Sequence, residues 1–160
     1  MEFIDMGLKE KVTIRGRVTL TLTDVKTGKK DIQIRDNLVV TLAKSAIAAK
    51  LSGDASIANR SEITFGAIGS GTTTPTLGDT TLETETFRKI LATRTFSGNQ
   101  ATLRMFLSTS EGNGTIEEFA LFGEDASVAA DSGTMFNRVL VNRVKTSSNT
   151  LTIEVVLTIS

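Results

Sequence analysis

The sequence predicts a mainly β domain: an antiparallel β-sandwich of about eight strands with one short helix at 41–52. Three observations carry this. Several segments alternate apolar and polar residues with a period of two, most cleanly Val12–Thr23 and Thr150–Ile159. Turn chemistry recurs at roughly the 8–12-residue spacing of sandwiches and barrels. Threonine, whose β-branched side chain suits a pleated surface, is abundant throughout.

In chain order, residues 1–11 show no clean period and form an N-terminal arm, ahead of a single domain at 12–160. In the first strand Val12, Ile14, Val18, Leu20 and Leu22 share one face, and Gly16 on that face suggests a bulge. Asp24-Val-Lys-Thr-Gly28 is a turn, and Lys29–Arg35 returns with Ile32 and Ile34 expected inward. Thr41 is placed to cap the helix, Leu42, Ala46, Ile47 and Leu51 fall on one stripe, and Gly53 stops it. After a polar link, Ile63 and Phe65 open a strand that breaks into the long loop 66–82, rich in glycine and threonine and holding Pro75, the only proline. Thr86–Phe96 tilts to strand, and Ala101–Leu107 alternates cleanly. Phe106 sits on its polar face and suggests that both faces are covered. Strands at Ile116–Phe122, Met135–Lys145 and Leu151–Ile159 complete the domain, with an acidic loop at Gly123–Gly133.

At 160 residues the chain is long enough for a real core. Formal net charge is zero, so bulk electrostatics favours neither nucleic acid nor an anionic membrane. No apolar run is long enough for a transmembrane helix, and the first residues lack a signal-peptide pattern. Cysteine and histidine are absent. Disulfides, cysteine-ligated zinc and a Ser-His-Asp triad are therefore excluded, and no Ser-x-x-Lys pair replaces the triad.

The remaining chemistry points to structure. Gly66-Ala-Ile-Gly-Ser-Gly71 lacks the Lys-Ser/Thr close of a P-loop and the βαβ setting of a dinucleotide fingerprint. Asp79, Glu83 and Glu85 could gather around a calcium ion, as could Asp125 and Asp131. A solvated face or pairing with Arg88, Lys89 or Arg94 is the simpler account. Glu117 and Glu118 are adjacent on a strand and point to opposite faces, so one is expected inward and paired with an arginine. Arg15, Arg17, Arg138 and Arg143 lack the interleaved aromatics of a single-strand-binding surface and are expected in salt bridges. The composition predicts no cofactor and no catalysis.

Three pieces occur in order: DNLVVTLAKSAIAAKLSG at 36–53, ITFGAIGSGTTTPTLGDTTLETETFRK at 63–89, and GTIEEFALFGED followed by SGTMFNRVLVNRVKTSSNTLTIEVVLTIS over 114–160. Together they resemble small virion structural proteins of tailed bacteriophages. The chain is also similar to the N-terminal domains of phage tail-collar and tail-fibre proteins. The shared features are a glycine-rich strand, a Thr/Pro loop, Asp79-Thr80-Thr81-Leu82-Glu83-Thr84-Glu85, and Ile116-Glu117-Glu118-Phe119-Ala120-Leu121-Phe122.

The resemblance implies a non-enzymatic virion component, made in the host bacterial cytoplasm. It would assemble as a homo-oligomer, a trimer or hexamer, and contact other phage tail or capsid proteins. A fibre protein continues into a long distal region, so a chain ending at Ser160 is expected to be a baseplate, collar or fibre-attachment piece. The alternative is a head decoration protein clamping the capsid lattice. A carbohydrate-binding module is a more distant alternative, disfavoured by the absence of tyrosine and tryptophan. The expected interface elements are the arm, through Phe3, Ile4, Met6 and Leu8, and the long loop with its flank, through Thr72, Thr73, Thr74, Pro75, Thr76, Leu77, Asp79, Glu83 and Arg88.

Overall fold

The computed structural model describes residues 11–54, 56 and 61–160. The described chain is mainly β with one short helix: β1 (Ile14–Asp24), β2 (Lys30–Val39), α1 (Thr41–Ser52), β3 (Ile63–Gly69), β4 (Glu85–Ile90), β5 (Thr93–Ser97), β6 (Gln100–Leu107), β7 (Gly114–Gly123), β8 (Met135–Lys145) and β9 (Asn149–Ile159). Every pairing is antiparallel. All nine strands join one sheet in the order β4-β3-β7-β8-β2-β1-β9-β6-β5.

That order dictates the shape. β4 and β5 are the two edges of the sheet, yet only Leu91 and Ala92 connect them. In a flat sheet eight inter-strand steps would hold the edges about 38 Å apart. Two linking residues span only about 10 Å. The sheet must curl until its ends approach, and it forms a half-barrel. The link is pinned on both sides: the Leu91 N–H donates to the Thr64 carbonyl (2.8 Å), and the Ala92 N–H to that of Arg104 (2.7 Å). The sequence expected one strand at Thr86–Phe96 and eight in all. The break at 91–92 makes two, because the chain there changes partner from β3 to β6. In place of two separate sheets there is one, continuous through a thin seam where β2 meets β8 at two residue pairs, Leu38↔Arg138 and Val39↔Asn137.

The concave face holds the core. Val18 and Leu20 of β1, Leu103, Met105 and Leu107 of β6, and Leu151, Ile153 and Val155 of β9 face Ile68, Phe119, Leu121 and Val139 from the other half. Gly66 allows a close approach between the halves. A β-carbon there would come within 2.7 Å of Met105 Sδ and 3.3 Å of the Phe119 ring.

Several expectations are corrected. Ile32 and Ile34 point outward and are more than half exposed, whereas Gln33 is buried. Pairing fixes this, since Gln33 sits opposite the buried Leu20 and the isoleucines sit opposite Thr19 and Thr21. Gln33 Oε1 then accepts the Asn142 N–H (3.3 Å) across the seam. Gly16 makes no bulge: it pairs in register on both sides and leaves room for the Asn37 side chain. Thr41 does not cap α1. Val40 is the N-cap, and the Thr41 N–H donates to the Leu77 carbonyl (2.9 Å). The buried face of α1 is Ala43, Ala46 and Ala49, whereas Leu51 is 84% exposed. Small residues let the helix lie close to β8, and the leucines are left at its rim. Gly53 does end the helix, in the left-handed region (φ 74°). Phe106 stands on the convex face opposite Thr152 and remains exposed within the chain.

Candidate functional site: two arginine clamps and an exposed apolar rim

The long loop is folded back onto the sheet and held by a buried ion pair. Glu118 of β7 is fully buried, and the Arg138 side chain of β8 is 3% exposed. Arg138 Nε and Nη2 donate to Glu118 Oε2 at 2.9 and 2.8 Å. The Glu118 carboxylate also accepts three backbone N–H groups: Gly71 (3.0 Å) and Thr84 (2.8 Å) on Oε1, and Glu83 (3.1 Å) on Oε2. Arg138 Nη1 reaches Asp79 Oδ2 (2.9 Å), and Nη2 reaches Thr73 Oγ1 (3.2 Å). One carboxylate and one guanidinium thus tie both ends and the middle of the loop together, satisfying nearly all their own hydrogen-bonding capacity.

The electrostatics agree. Burial alone would lower the Arg138 pKa, but Asp79 and Glu118 outweigh it and hold it above the ordinary arginine value. Burial alone would raise that of Asp79, yet the Thr76 hydroxyl and Arg138 bring it below the ordinary range. Glu83 is lowered by the Thr73 N–H, which donates to its Oε2 (2.8 Å).

Gly69 and Gly71 are required by this packing. A β-carbon on Gly69 would overlap the Thr84 carbonyl and Glu118, and one on Gly71 would overlap Glu83 and Glu118. The glycine run is a close-approach surface over a buried carboxylate.

A second arginine clamps the loop between β7 and β8. The Arg88 side chain is 3% exposed and makes a bidentate pair with Glu85 (2.6 and 2.7 Å). Its Nη1 donates to the Ser127 and Ser132 carbonyls and to the Ser132 hydroxyl. Its guanidinium lies 4.7 Å from the centre of the Phe122 ring. A third polar anchor is Lys145, buried with Nζ donating to the Ser108 carbonyl (2.6 Å) and Asn113 Oδ1 (2.9 Å). Burial lowers its pKa, against the pull of Glu111.

The sequence-predicted residues therefore separate. Thr72, Thr73, Thr74, Thr76 and Leu77 are exposed along the crest of the clamped loop, and Pro75 is half-buried. Asp79 turns inward to Arg138 and Glu83, itself exposed, lies 3.9 Å from the same guanidinium; neither meets Arg88, Lys89 or Arg94, and Glu85 goes to Arg88. The three carboxylates do not converge on a common point for a cation, and among the described residues no group of three acidic side chains is placed to hold a metal. Arg88 presents no guanidinium surface to a neighbour, since its donors are spent inside the chain. Glu118 is the inward member of its pair, as expected, and its arginine is Arg138. Arg17 pairs with Asp36 at 3.7 Å and Arg143 with Asp31 at 3.4 Å, both bridging elements of the sheet. Phe3, Ile4, Met6 and Leu8 lie outside the described residues.

Sequence reasoning did not anticipate the open end of the half-barrel. There a cleft of about 610 Å³ lies between α1, the start of β3 and the concave ends of β1, β9, β6 and β5. Ile14, Ile47, Leu51, Phe96, Leu103 and Ile159 line it, and Phe96 is 84% exposed. Its signal in the sequence was the odd pair of apolar residues, Leu51 and Phe96, placed at element ends where no buried partner is available.

Compared with known proteins, the chain matches no family model, and no curated protein or solved structure matches it.

Proposed function

We propose that this protein is a non-enzymatic structural component of a tailed-phage particle, assembling as a symmetric oligomer and docking at the tail as a baseplate, collar or fibre-attachment piece. The observation that carries the reading is the clamped loop. Its Thr72–Leu77 crest faces solvent, while every charged group at its base is spent on holding it in place. A loop built this way presents a fixed surface, as a docking element needs to. Exposed apolar residues on the convex face (Ile32, Ile34, Phe106) and at the open end (Leu51, Phe96) add surface of the kind that marks association. On this reading the two halves of the curled sheet serve as the layers of a sandwich, with the loops gathered at its edges.

The test is to image phage particles with an antibody against this chain and to measure the mass of the purified protein by light scattering. Label at the tail together with an oligomeric mass is the expected result. Label spread over the capsid would replace tail docking by head decoration, and unlabelled particles would overturn the virion reading.

A further inference from the structure

The cleft at the open end of the half-barrel is lined mainly by apolar side chains that the described residues leave uncovered, and the described chain starts beside it, at residues 11–14. Ile14 lines the cleft, and the β1–β9 ladder runs on through Thr13, whose N–H donates to the Ser160 carbonyl while the Ser160 N–H donates to that of Thr13. Val12, next along, is 72% exposed. Residues 1–10 read MEFIDMGLKE and, beyond Met1, carry four large apolar side chains: Phe3, Ile4, Met6 and Leu8. Ile4, Met6 and Leu8 alternate with Asp5 and Gly7, so as an extended segment they share one face. Ten residues reach about 33 Å, enough to cross to an adjoining subunit.

We propose that residues 3–8 of a second copy of this chain fill the cleft, seating Ile4, Met6 and Leu8 against Phe96, Leu51 and Ile159. This deepens the assembly reading and rests on it. Two observations select a second copy over the chain's own arm. Thr13 is still in ladder with Ser160, so the chain passes the rim in extended form. Between Leu8 and Val12 the sequence offers only Lys-Glu-Lys, with none of the Gly, Asn, Asp or Pro chemistry of a tight reversal. Charge agrees as well. Glu2 and Asp5 accompany the apolar residues, and Arg94 lines the cleft, where among the described residues it makes a 3.5 Å contact to the Ile63 carbonyl.

The absence of native cysteine makes the test direct. Full-length chains carrying Asp5→Cys alone and Thr95→Cys alone, both at solvent-facing or terminal positions, are mixed and treated with a short bis-maleimide. The expected result is a covalent heterodimer of one chain of each kind, abolished when Phe96→Asp is added to the Thr95→Cys chain. If a chain carrying both Asp5→Cys and Thr95→Cys crosslinks only within single chains, the arm folds onto its own cleft and the proposal is wrong. If no crosslink forms, the proposal also falls. Mass by light scattering then separates the two levels: an oligomer without the crosslink overturns this docking alone, and a monomer removes the assembly reading with it.

Discussion

Replacing Glu118 with glutamine changes one atom and should disable the loop clamp. The glutamine carbonyl can keep two of the loop amides, at Gly71 and Thr84, which approach the same oxygen. The new amide group then faces three donors: the Glu83 N–H and the Arg138 Nε and Nη2. Each buried donor left without an acceptor costs about 1–3 kcal/mol. Breaking one member of a buried pair costs about 3–5 kcal/mol. Asp79 still engages Arg138, which places Glu118→Gln near the lower end, at about 3 kcal/mol. For a domain of this length that lowers Tm by about 6–12 °C. Urea unfolding followed by circular dichroism gives the total. Hydrogen exchange of the Gly71, Glu83 and Thr84 amides locates it, with protection falling about 100-fold. Glu117→Gln, one residue away on the opposite face, is the control and should stay within about 0.5 kcal/mol of the parent. A Glu118→Gln protein as stable as that control, with its loop amides still protected, would refute the reasoning.

Other consequences follow from the same contacts. Arg88→Lys keeps the charge but loses the planar fork on Glu85 and the contact with the Phe122 ring, and should cost about 2 kcal/mol. Protease cleavage within residues 124–134 should quicken in that variant, and an unchanged cleavage rate would count against the second clamp. Gly71→Ala forces a β-carbon into Glu83 and Glu118 and should cost about 1–3 kcal/mol, whereas Gly78→Ala, in open surroundings, should be close to neutral. Lys89 and the Ser108 N–H hold the Glu111 carboxyl at a pKa of about 2, below its ordinary 4.5. A lowered folded-state pKa means that this stabilisation is complete above the ordinary value and disappears as pH falls toward about 2. Urea midpoints taken across that window should fall less steeply for Glu111→Gln than for the parent, and parallel curves would contradict the assignment.

Much of this fold is legible in the sequence where one face of a strand packs and the other does not. β1 and β9 show it: Val18, Leu20, Leu151, Ile153 and Val155 alternate with outward residues that are mostly threonine, and both strands form where the pattern places them. The pattern misleads in β2 because inward and outward positions are set by the register with β1. Ile32 and Ile34 fall opposite outward threonines, and Gln33 is drawn inside, where Asn142 supplies a donor. The curl of the sheet is hidden in a two-residue link, Leu91-Ala92, that means nothing until the strand order is known. Of the site, the inward glutamate could be argued from strand alternation, and the arginine could not. Arg138 lies 20 residues from Glu118 and meets it only because β7 and β8 pair. The glycines of the long loop stand out in the sequence as a phosphate-loop lookalike. Their physical reason, a carboxylate packed against the backbone at Gly69 and Gly71, appears only when β7 is in place.

The most direct test of the account is the solution mass of the full-length protein, measured by light scattering alongside Phe96→Asp. The account predicts a trimer or hexamer for the parent and a fall to monomer for the variant, with the circular dichroism of the β fold unchanged. A parent that stays monomeric at every concentration, in a protein that also fails to label phage particles, would contradict it.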